Sequence, residues 1–369
     1  MKVGILTFHN AYNYGAVLQA YATQTFIKGL GHEAEIIDYH NKEIDSSYDK
    51  ARFHFSTLPK RKFYLIPKYC LGRFYYWKKR KAYESFKKKH LIISKQRFNQ
   101  YERICFKSYN AILIGSDQLW NPTLTNGFDS VYWGDFLMEP RNKKIAWAVC
   151  MNSLRLNEEQ MEYVKSHLRF FSNISVREAS LKQLLSTLSP KAITQLIDPV
   201  FLLDSKQWET LCQPVKKKNF IAVYALLNEE ETIHAAEEIA SVLGKEVVII
   251  EHFSHFFPNK KREEKLGPID FLSLINAADC IITSSFHGTA FSLIFGKPFF
   301  CIEPEGTNNI RIRSLLDTFK QSNRILSQKN VHLINEITPP DPEEIRRITQ
   351  ELKKNAIDFF NGATATIGH

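Results

Sequence analysis

The sequence predicts an α/β protein with two Rossmann-like domains that face a cleft. Short apolar runs alternate with helix-like periodic segments, and polar residues follow directly after several of the runs. The length of 369 residues also exceeds what one hydrophobic core usually supports. Ligands of open parallel sheets bind outside the carboxyl ends of the strands. We therefore expect the functional residues at the strand ends.

The first strand–helix–strand unit lies at the N-terminus. An apolar run over residues 3–8 precedes a polar loop and a helical segment over residues 16–30, which ends before Gly31, a residue type common after helices. A second strand is predicted over residues 35–39. This order is that of a parallel β-α-β unit.

The other predicted elements fall into two blocks and a final helix. Strands are predicted over residues 110–114, 144–149, 173–176, 220–224, 246–250 and 280–283, and helices over residues 178–188, 229–243, 269–278, 288–295 and 342–360. The predicted domains are residues 1–192, with a basic aromatic insertion at about 50–100, and residues 193–335. Residues 336–369 form a C-terminal helix and tail, which we expect to pack back on the first domain.

The net charge of +10 favours an anionic partner. Twelve Lys or Arg residues lie from Lys60 to Lys89, interleaved with aromatic residues, and Glu84 is the one acidic residue among them. This pattern favours peripheral contact with an anionic membrane surface or an acidic glycan. A helical insertion that buries its aromatic side chains explains it equally well. No recognition motif accompanies the charge, so no nucleic-acid partner is expected.

The sequence predicts no metal and no bound cofactor. The six cysteines form no Cys-x-x-Cys pair and read as buried reduced thiols. No side-chain group has metal-ligand spacing, and both the dinucleotide fingerprint and the phosphate-binding P-loop motif are absent. The first apolar run is too short for a signal-peptide core, and no stretch approaches the roughly 18 apolar residues of a membrane span. We therefore expect a cytoplasmic protein.

The strongest candidate site is the predicted junction between the strand over residues 280–283 and the helix over residues 288–295, which contains His287. The start of a helix presents backbone N–H groups and the positive end of the dipole, which suit a phosphate or carboxylate. Gly288 allows close approach of a ligand, the hydroxyls of Ser284 and Ser285 cap the helix or bind an anion, and His287 can donate a proton. A plain helix cap with a hydrogen-bonded histidine explains these residues about as well.

Two other strand ends carry polar side chains. Arg177 suits bidentate carboxylate or phosphate binding, and the alternative is a surface pair with Glu178. Asp117 suits the orientation of a sugar hydroxyl or a role as base, and Trp120 suits stacking on a sugar face. The alternative there is a helix start capped by Ser116 or Asp117.

The loop from His9 to Gly15 is the fourth candidate. Asn10, Asn13 and Tyr14 would form a polar rim over a ligand, although an ordinary connecting loop explains them as well.

Taken together, these motifs resemble the polysaccharide pyruvyl transferase family. The resemblance runs in order over nearly the whole chain, through residues 4–10, 13–21, 114–121, 175–178, 198–203, 283–291 and 309–312. It implies a fold similar to the GT-B glycosyltransferases, with phosphoenolpyruvate in the interdomain cleft as co-substrate. It also implies that Arg177 and His287 hold the phosphoenolpyruvate.

The chain departs from the family pattern at two places. Better-studied members carry Arg-Leu-His where this chain has Ser285, Phe286 and His287, and Arg311 or Arg313 is our candidate for the missing charge. Family members often have Ser and Gly where Cys150 and Asn152 stand. Cys150 is then either an acid toward a bound enol or, as we favour, a buried structural thiol.

The resemblance implies a site in three parts. The catalytic residues are His287 and Asp117; the donor-binding residues are Arg177, Ser284, Ser285, Phe286, His287, Gly288 and Arg311; the acceptor or pocket residues are Asn10, Asn13, Tyr14, Ser116, Trp120, Cys150 and Asn309.

The implied reaction moves the pyruvyl group onto two hydroxyls of a sugar, as a ketal, and releases phosphate. The acceptor would be an oligosaccharide or lipid-linked precursor of a bacterial cell-surface or capsular polysaccharide. Replacing Arg177 or His287 by Ala is expected to reduce activity without unfolding the protein. One alternative is a glycosyltransferase that uses a nucleotide sugar, with Glu303 and Glu305 on the ribose. The other is a non-catalytic glycan-binding protein.

Overall fold

The computed structural model describes most of the chain. The described residues are 1–49, 66–99, 104–151, 155–226, 229–250, 267–303, 309–334 and 336–365. Four groups of residues considered above lie outside them: residues 60–65 of the basic segment, Asn152, Glu305, and residues 366–369 of the tail.

A seven-stranded parallel sheet forms the first domain. Its strands are β1 (Lys2–Leu6), β2 (Glu33–His40), β3 (Ile93–Asn99), β4 (Ala111–Ile114), β5 (Lys143–Val149), β6 (Asn173–Val176) and β7 (Ile193–Gln195). They lie in the order β3-β2-β1-β4-β5-β6-β7. The chain adds β2 and β3 on one side of β1, and then adds β4 to β7 on the other side. The direction of strand order therefore reverses between β1 and β4. Such a reversal is where open sheets leave a crevice for ligands.

A five-stranded parallel sheet forms the second domain. Its strands are β8 (Phe220–Tyr224), β9 (Glu246–Ile249), β10 (Cys280–Thr283), β11 (Phe299–Ile302) and β12 (Ile325–Leu326), in the order β12-β11-β10-β8-β9. Every registered neighbour pair in both sheets is parallel. The predicted fold class, α/β with two Rossmann-like domains, is confirmed.

Helices cover the sheets and connect their strands. Those within the first domain are α1 (Tyr14–Gly29), α2 (Lys42–Asp49), α3 (Ile66–His90), α4 (Pro122–Thr125), α5 (Glu158–Leu168) and α6 (Ala179–Leu188). The remaining ones are α7 (Ser205–Glu209), α8 (Glu229–Leu243), α9 (Pro268–Ala277), α10 (Phe286–Ile294), α11 (Ile310–Thr318) and α12 (Pro342–Thr364). Among the described residues, no helix combines the length and apolar character needed to cross a membrane.

Four strands were not predicted from the sequence. Two of them, β7 and β12, have three and two residues, which is too short for a periodic pattern. Strand β3 lies at the edge of the sheet and is mostly polar, with one buried residue, Phe98. Strand β11 is apolar throughout but follows α10 after only a short turn. These strands are recognisable only from their pairing with neighbours.

The two domains share one hydrophobic cluster. Tyr14 of α1 is buried and stacks on Tyr83 of α3 and on Phe271 of α9, with ring centroids 5.5 and 4.8 Å apart. At the C-terminus, α12 lies near β5, with the Phe360 and Trp147 rings 6.2 Å apart. The N-terminal helix thus contacts an element of the second domain, and the C-terminal helix returns to the first sheet.

Candidate active site

Arg177 and Asp198 form a buried ion pair at the carboxyl edge of the first sheet. Arg177 directly follows β6, and its backbone N–H donates to Val149 O over 3.1 Å. Its Nη1 donates to Oδ2 of Asp198. The other oxygen of Asp198 accepts from Val200 N over 3.0 Å, because Asp198 caps a short 3₁₀ helix, Pro199–Leu202. The cap therefore holds the carboxylate in place for the arginine.

His287 reaches this pair from the second domain. It is the second residue of α10, and its Nε2 lies 3.7 Å from Asp198 Oδ2. Its ring lies against Gly15 of α1, where an added Cβ would come within 1.9 Å of Nδ1. Burial lowers the pKa of His287, with Asp198 and Asp117 opposing and Arg177 and Arg311 adding to the effect. The imidazole is therefore neutral near pH 7.

Several polar atoms of this site are buried without a hydrogen-bond partner among the described residues. They are Nε and Nη2 of Arg177, both carboxylate oxygens of Glu178, Nε2 of His287 and Nε of Arg311. Leaving a buried donor or acceptor unpaired costs about 1–3 kcal/mol per group, so such groups are rare and need an explanation. Hydrogen bonds between these groups and a bound polar ligand are one explanation.

A small cavity between the domains is lined by some of these side chains, although not by His287. Arg177, Asp198, Phe286 and Arg311 line it, and the guanidinium of Arg177 lies 4.8 Å from the centroid of the Phe286 ring. The cavity has a volume of about 50 Å³, which accommodates a few waters at most. A larger ligand requires the two domains to separate slightly or side chains to move.

Of the two arginines proposed to replace the family's missing charge, Arg311 is the one that lines the cavity. Arg313 is half-exposed and pairs with Glu303 through Nη2 and, over 3.2 Å, through Nε. Arg311 is therefore better placed to meet an anion.

The serine and glycine residues at the start of α10 support the backbone. Ser285 is the N-cap and accepts from Gly288 N over 3.4 Å. A Cβ on Gly288 would lie 2.3 Å from Thr283 Oγ1, so the glycine is needed for contact with the preceding strand. Ser284 is buried beside them, and its backbone N–H donates to Tyr224 O over 3.3 Å. Both interpretations made from the sequence, a cap and an anion site, remain compatible with these contacts.

Asp117 and Cys150 lie on the side of the site formed by β4 and β5. Asp117 has a φ of 73°, and its backbone O accepts from Cys150 N over 3.0 Å. Ser116 is fully buried and donates to Ala148 O. Burial, with Glu178 adding, raises the pKa of Cys150 to about 12. Such a thiol is a weak acid, which fits a structural role better than proton donation to an enol.

Four residues predicted to line the pocket point elsewhere. Trp120 is fully buried, stacks on Trp133 at 4.2 Å and donates to Tyr132 O, so it has no face for a sugar. Tyr14 is part of the interdomain core described above. Asn13 and Asn309 are N-caps of α1 and α11, with Asn309 also donating its backbone N–H to Glu303.

Asn10 belongs to a separate polar group. Its side chain donates to Asp45 over 2.9 Å and accepts from Lys87 over 2.8 Å. It thus lies with Asp45 of α2 and Lys87 of α3, and not with Arg177.

Three residues near Arg177 and His287 were not assigned to the site from the sequence: Asp198, Glu178 and Gly15. Asp198 follows β7, and an Asp-Pro pair after a short apolar run is a cap pattern, which could have indicated it. Glu178 was treated only as a surface partner of Arg177, but it is 4% exposed. The contact of Gly15 with His287 is invisible in the sequence because 272 positions separate the two residues.

Solved structures align over nearly the full length at low identity. They include UDP-GlcNAc 2-epimerase from Methanocaldococcus jannaschii, with 12% identity, 96% of this chain and 100% of that chain covered and a TM-score of 0.47. UDP-N-acetylglucosamine 2-epimerase from Rickettsia bellii has 10% identity, coverage of 99% and 96%, and a TM-score of 0.46. The glycosyltransferase SnogD from Streptomyces nogalater has 14% identity, coverage of 98% and 99%, and a TM-score of 0.41. These likenesses carry no inference about chemistry.

A search of curated protein sequences gave no significant match. The family model for polysaccharide pyruvyl transferase, in contrast, matches residues 13–306, which include β4 to β11, Arg177, Asp198 and His287. The chain belongs to the polysaccharide pyruvyl transferase family.

Proposed function

We propose that this transferase uses phosphoenolpyruvate as donor and forms a pyruvate ketal on a sugar. The observation that carries the proposal is the meeting of Arg177 and His287, from different domains, on one buried carboxylate. Both side chains keep buried N–H groups or ring nitrogens without hydrogen-bond partners among the described residues, although Arg177 Nε lies 3.9 Å from Glu178 Oε1 and His287 Nε2 lies 3.7 Å from Asp198 Oδ2. Family membership supports the class of reaction, and the site supports an anionic donor.

The donor has the charge and shape that the arginines suit. Phosphoenolpyruvate carries a phosphate and a carboxylate on the same carbon atom. A planar guanidinium binds such oxygens in a bidentate manner, and Nε and Nη2 of Arg177 form one edge of that plane. Arg311 supplies the second positive charge from α11.

The chemistry requires one proton to reach the methylene carbon of the donor. This makes the central carbon a cation, and a first sugar hydroxyl attacks it and gives up its proton. A second hydroxyl then forms the other C–O bond while the C–O bond to phosphate breaks, and its proton leaves with the phosphate. The proton released by the first hydroxyl replaces the proton given to the methylene carbon, so the site returns to its starting protonation state.

Two side chains would move or orient those protons. The neutral imidazole of His287 can accept a proton from an attacking hydroxyl, and a bound phosphate would then stabilise the imidazolium. Asp117, at the end of β4, would orient the hydroxyl. No step of this scheme requires a metal ion.

The acceptor is proposed to be an oligosaccharide or lipid-linked glycan, handled on the cytoplasmic side of a membrane. Helix α3 supports contact with a membrane because it exposes Phe74 and Trp77, at 49% and 53%, on the same face as Lys78 and Lys81. Both lysines lie over these rings, at 4.8 and 5.0 Å from the centroids. An aromatic pair framed by lysines suits an interface of anionic headgroups.

Sedimentation with vesicles tests the membrane contact. The full-length protein should bind vesicles that contain phosphatidylglycerol but not neutral vesicles. The double variant Phe74→Ser, Trp77→Ser should bind several-fold less, whereas Val242→Ser, at an exposed apolar position of α8, should not change. Equal binding of all three proteins would exclude α3 as the contact.

Calorimetric titration with phosphoenolpyruvate tests the donor, with UDP-GlcNAc as comparison. We expect binding of phosphoenolpyruvate in the wild type and a loss of about tenfold or more in Arg177→Lys, which keeps the charge but not the planar fork. Arg313→Lys serves as the matched control. Binding of the nucleotide sugar alone would favour glycosyl transfer, and binding of a glycan without turnover of either donor would favour a glycan-binding protein.

A further inference from the structure

A second cluster of chemically active side chains lies at the same edge of the first sheet. His9 follows β1, while Asp38 and His40 end β2, and these three residues are called the histidine cluster below. Asp38 Oδ1 lies 2.9 Å from Nε2 of His9 and 3.0 Å from Nε2 of His40. One ligand atom from each residue lies within 4.8 Å of the others. Two imidazoles and a carboxylate therefore converge on one point.

The outer nitrogen of each ring already has an acceptor. Nδ1 of His9 lies 3.3 Å from Thr7 O, and Nδ1 of His40 lies 2.5 Å from Asp45 Oδ2. Asp45 is held in turn by Asn10 over 2.9 Å. A ring that donates from Nδ1 presents the lone pair of Nε2 to the inside. This is the second-shell arrangement of histidines that bind metals, including the carboxylate–histidine pair.

A proton or a metal ion has to lie between the acceptor atoms of this arrangement. If both rings are neutral with the proton on Nδ1, both Nε2 atoms face Oδ1 of Asp38, and three acceptors meet. Doubly protonated rings would avoid this, but Nη2 of Arg97 lies 2.7 Å from Nε2 and 2.9 Å from Nδ1 of His40. A guanidinium donor next to an imidazolium would place like charges in contact. The carboxylates have the opposite effect: burial lowers the pKa of His40, but the hydrogen bonds and charges of Asp38 and Asp45 outweigh it and raise this pKa to about 8. A metal ion at this point would therefore take the place of the proton that the two carboxylates hold on the ring.

The position of Arg97 beside His40 indicates that the point where the three ligand atoms converge attracts positive charge. Arg97 belongs to the edge strand β3 and is exposed, so it can rotate into solvent when another cation arrives. The two histidines are buried, at 1% and 7% exposure, and hold fixed positions.

We propose that His9, Asp38 and His40 bind a divalent transition-metal ion, with Asp45 as the second-shell partner of His40. Imidazole and carboxylate ligands suit Zn²⁺, Mn²⁺ or Fe²⁺, and three protein ligands leave coordination positions open. The ion would also anchor the start of the loop from His9 to Gly15, whose last residue contacts His287.

Calorimetric titration of chelator-treated, full-length protein with ZnCl₂ is the first test. We expect one binding equivalent that His9→Gln and His40→Gln each lose, while His234→Gln, an exposed histidine of α8, keeps it. Asp45→Asn should weaken this equivalent by about 10–100-fold, the range for second-shell partners. Arg97→Gln should bind as tightly as the wild type or more tightly.

A spectroscopic measurement on the wild type covers the case in which the histidine variants fail to fold. Binding of one Cu²⁺ should give an electron paramagnetic resonance spectrum with superhyperfine splitting from two imidazole nitrogens. Unchanged Zn²⁺ binding in His9→Gln and His40→Gln would overturn the proposal. So would absence of a Zn²⁺ equivalent in the wild type, or a Cu²⁺ spectrum without two nitrogen ligands.

Discussion

Arg177, Asp198 and His287 at the domain junction can be compared with the histidine cluster at the other half of the same sheet edge. The first group combines two domains and buries charged groups almost completely. The histidine cluster comes from adjacent strands of a single domain, and its carboxylates remain partly exposed. Arg177 in the first group keeps N–H groups without hydrogen bonds, whereas each side chain of the histidine cluster already contacts another member of the cluster.

The difference shows how two sites on one sheet edge can recognise opposite charges. Positive guanidinium groups with unsatisfied donors, next to a neutral histidine, suit an anion. Converging lone pairs and a carboxylate suit a cation. Both sites result from the same rule, since parallel strands bring the residues that follow them to one edge.

The largest expected difference in stability is between the variants that lack the arginine of each region. Arg177→Ala leaves Asp198 charged and buried without its partner, which costs about 3–5 kcal/mol of unfolding free energy. Arg97→Ala removes an exposed side chain and should cost less than about 1 kcal/mol. Urea denaturation measures both. Equal losses would show that the two regions do not differ in burial of charge.

This expectation adds a loss of stability to the prediction made from the sequence, that Arg177→Ala reduces activity without unfolding the protein. The sequence did not reveal the buried pair with Asp198. For that reason Arg177→Lys is the better variant for ligand binding.

A medium effect is expected where α1 contacts His287. Gly15→Ala places a Cβ about where the imidazole lies, and we expect a loss of about 1–3 kcal/mol, typical of overpacking, with reduced phosphate release. Gly29→Ala, in the last turn of the same helix, meets nothing within 4 Å and should stabilise by about 0.5–1 kcal/mol. Thermal unfolding and a phosphate-release assay distinguish them. A neutral Gly15→Ala variant would mean that the histidine moves freely.

The smallest effect concerns pH. Because burial lowers the pKa of His287, the unfolded chain binds a proton below about pH 6.5 while the folded chain does not. The free energy of unfolding should therefore fall as pH decreases below about 6.5, by at most about 1.4 kcal/mol per pH unit from this residue. Phosphoenolpyruvate should reduce this loss, since a bound anion stabilises the imidazolium.

Denaturation curves of the wild type, His287→Gln and His234→Gln over this pH range test the assignment. His287→Gln should show a flatter pH dependence, and His234→Gln should match the wild type. A wild-type slope in His287→Gln would assign the effect to other histidines.

Many elements and the strand ends were predictable from local pattern. Helix α8 and strands β6, β8 and β10 have the predicted limits, because each is a single apolar or amphipathic run between turn residues. The short strands β7 and β12 were missed because two or three residues carry no period. Trp120 illustrates the limit for sites: an aromatic after a strand suggested sugar stacking, yet its ring fills the core.

The sequence by itself determined the fold class, the family and the positions of Arg177 and His287 after a strand and near a helix start. It did so because hydrophobic periodicity and motif order are local properties of the chain. Only the tertiary structure decided that Asp198 pairs with Arg177, that Gly15 supports His287 and that His9 meets His40 across 31 positions. Those contacts depend on strand order and on packing between domains, which bring distant residues to one edge with geometry that sequence spacing does not encode.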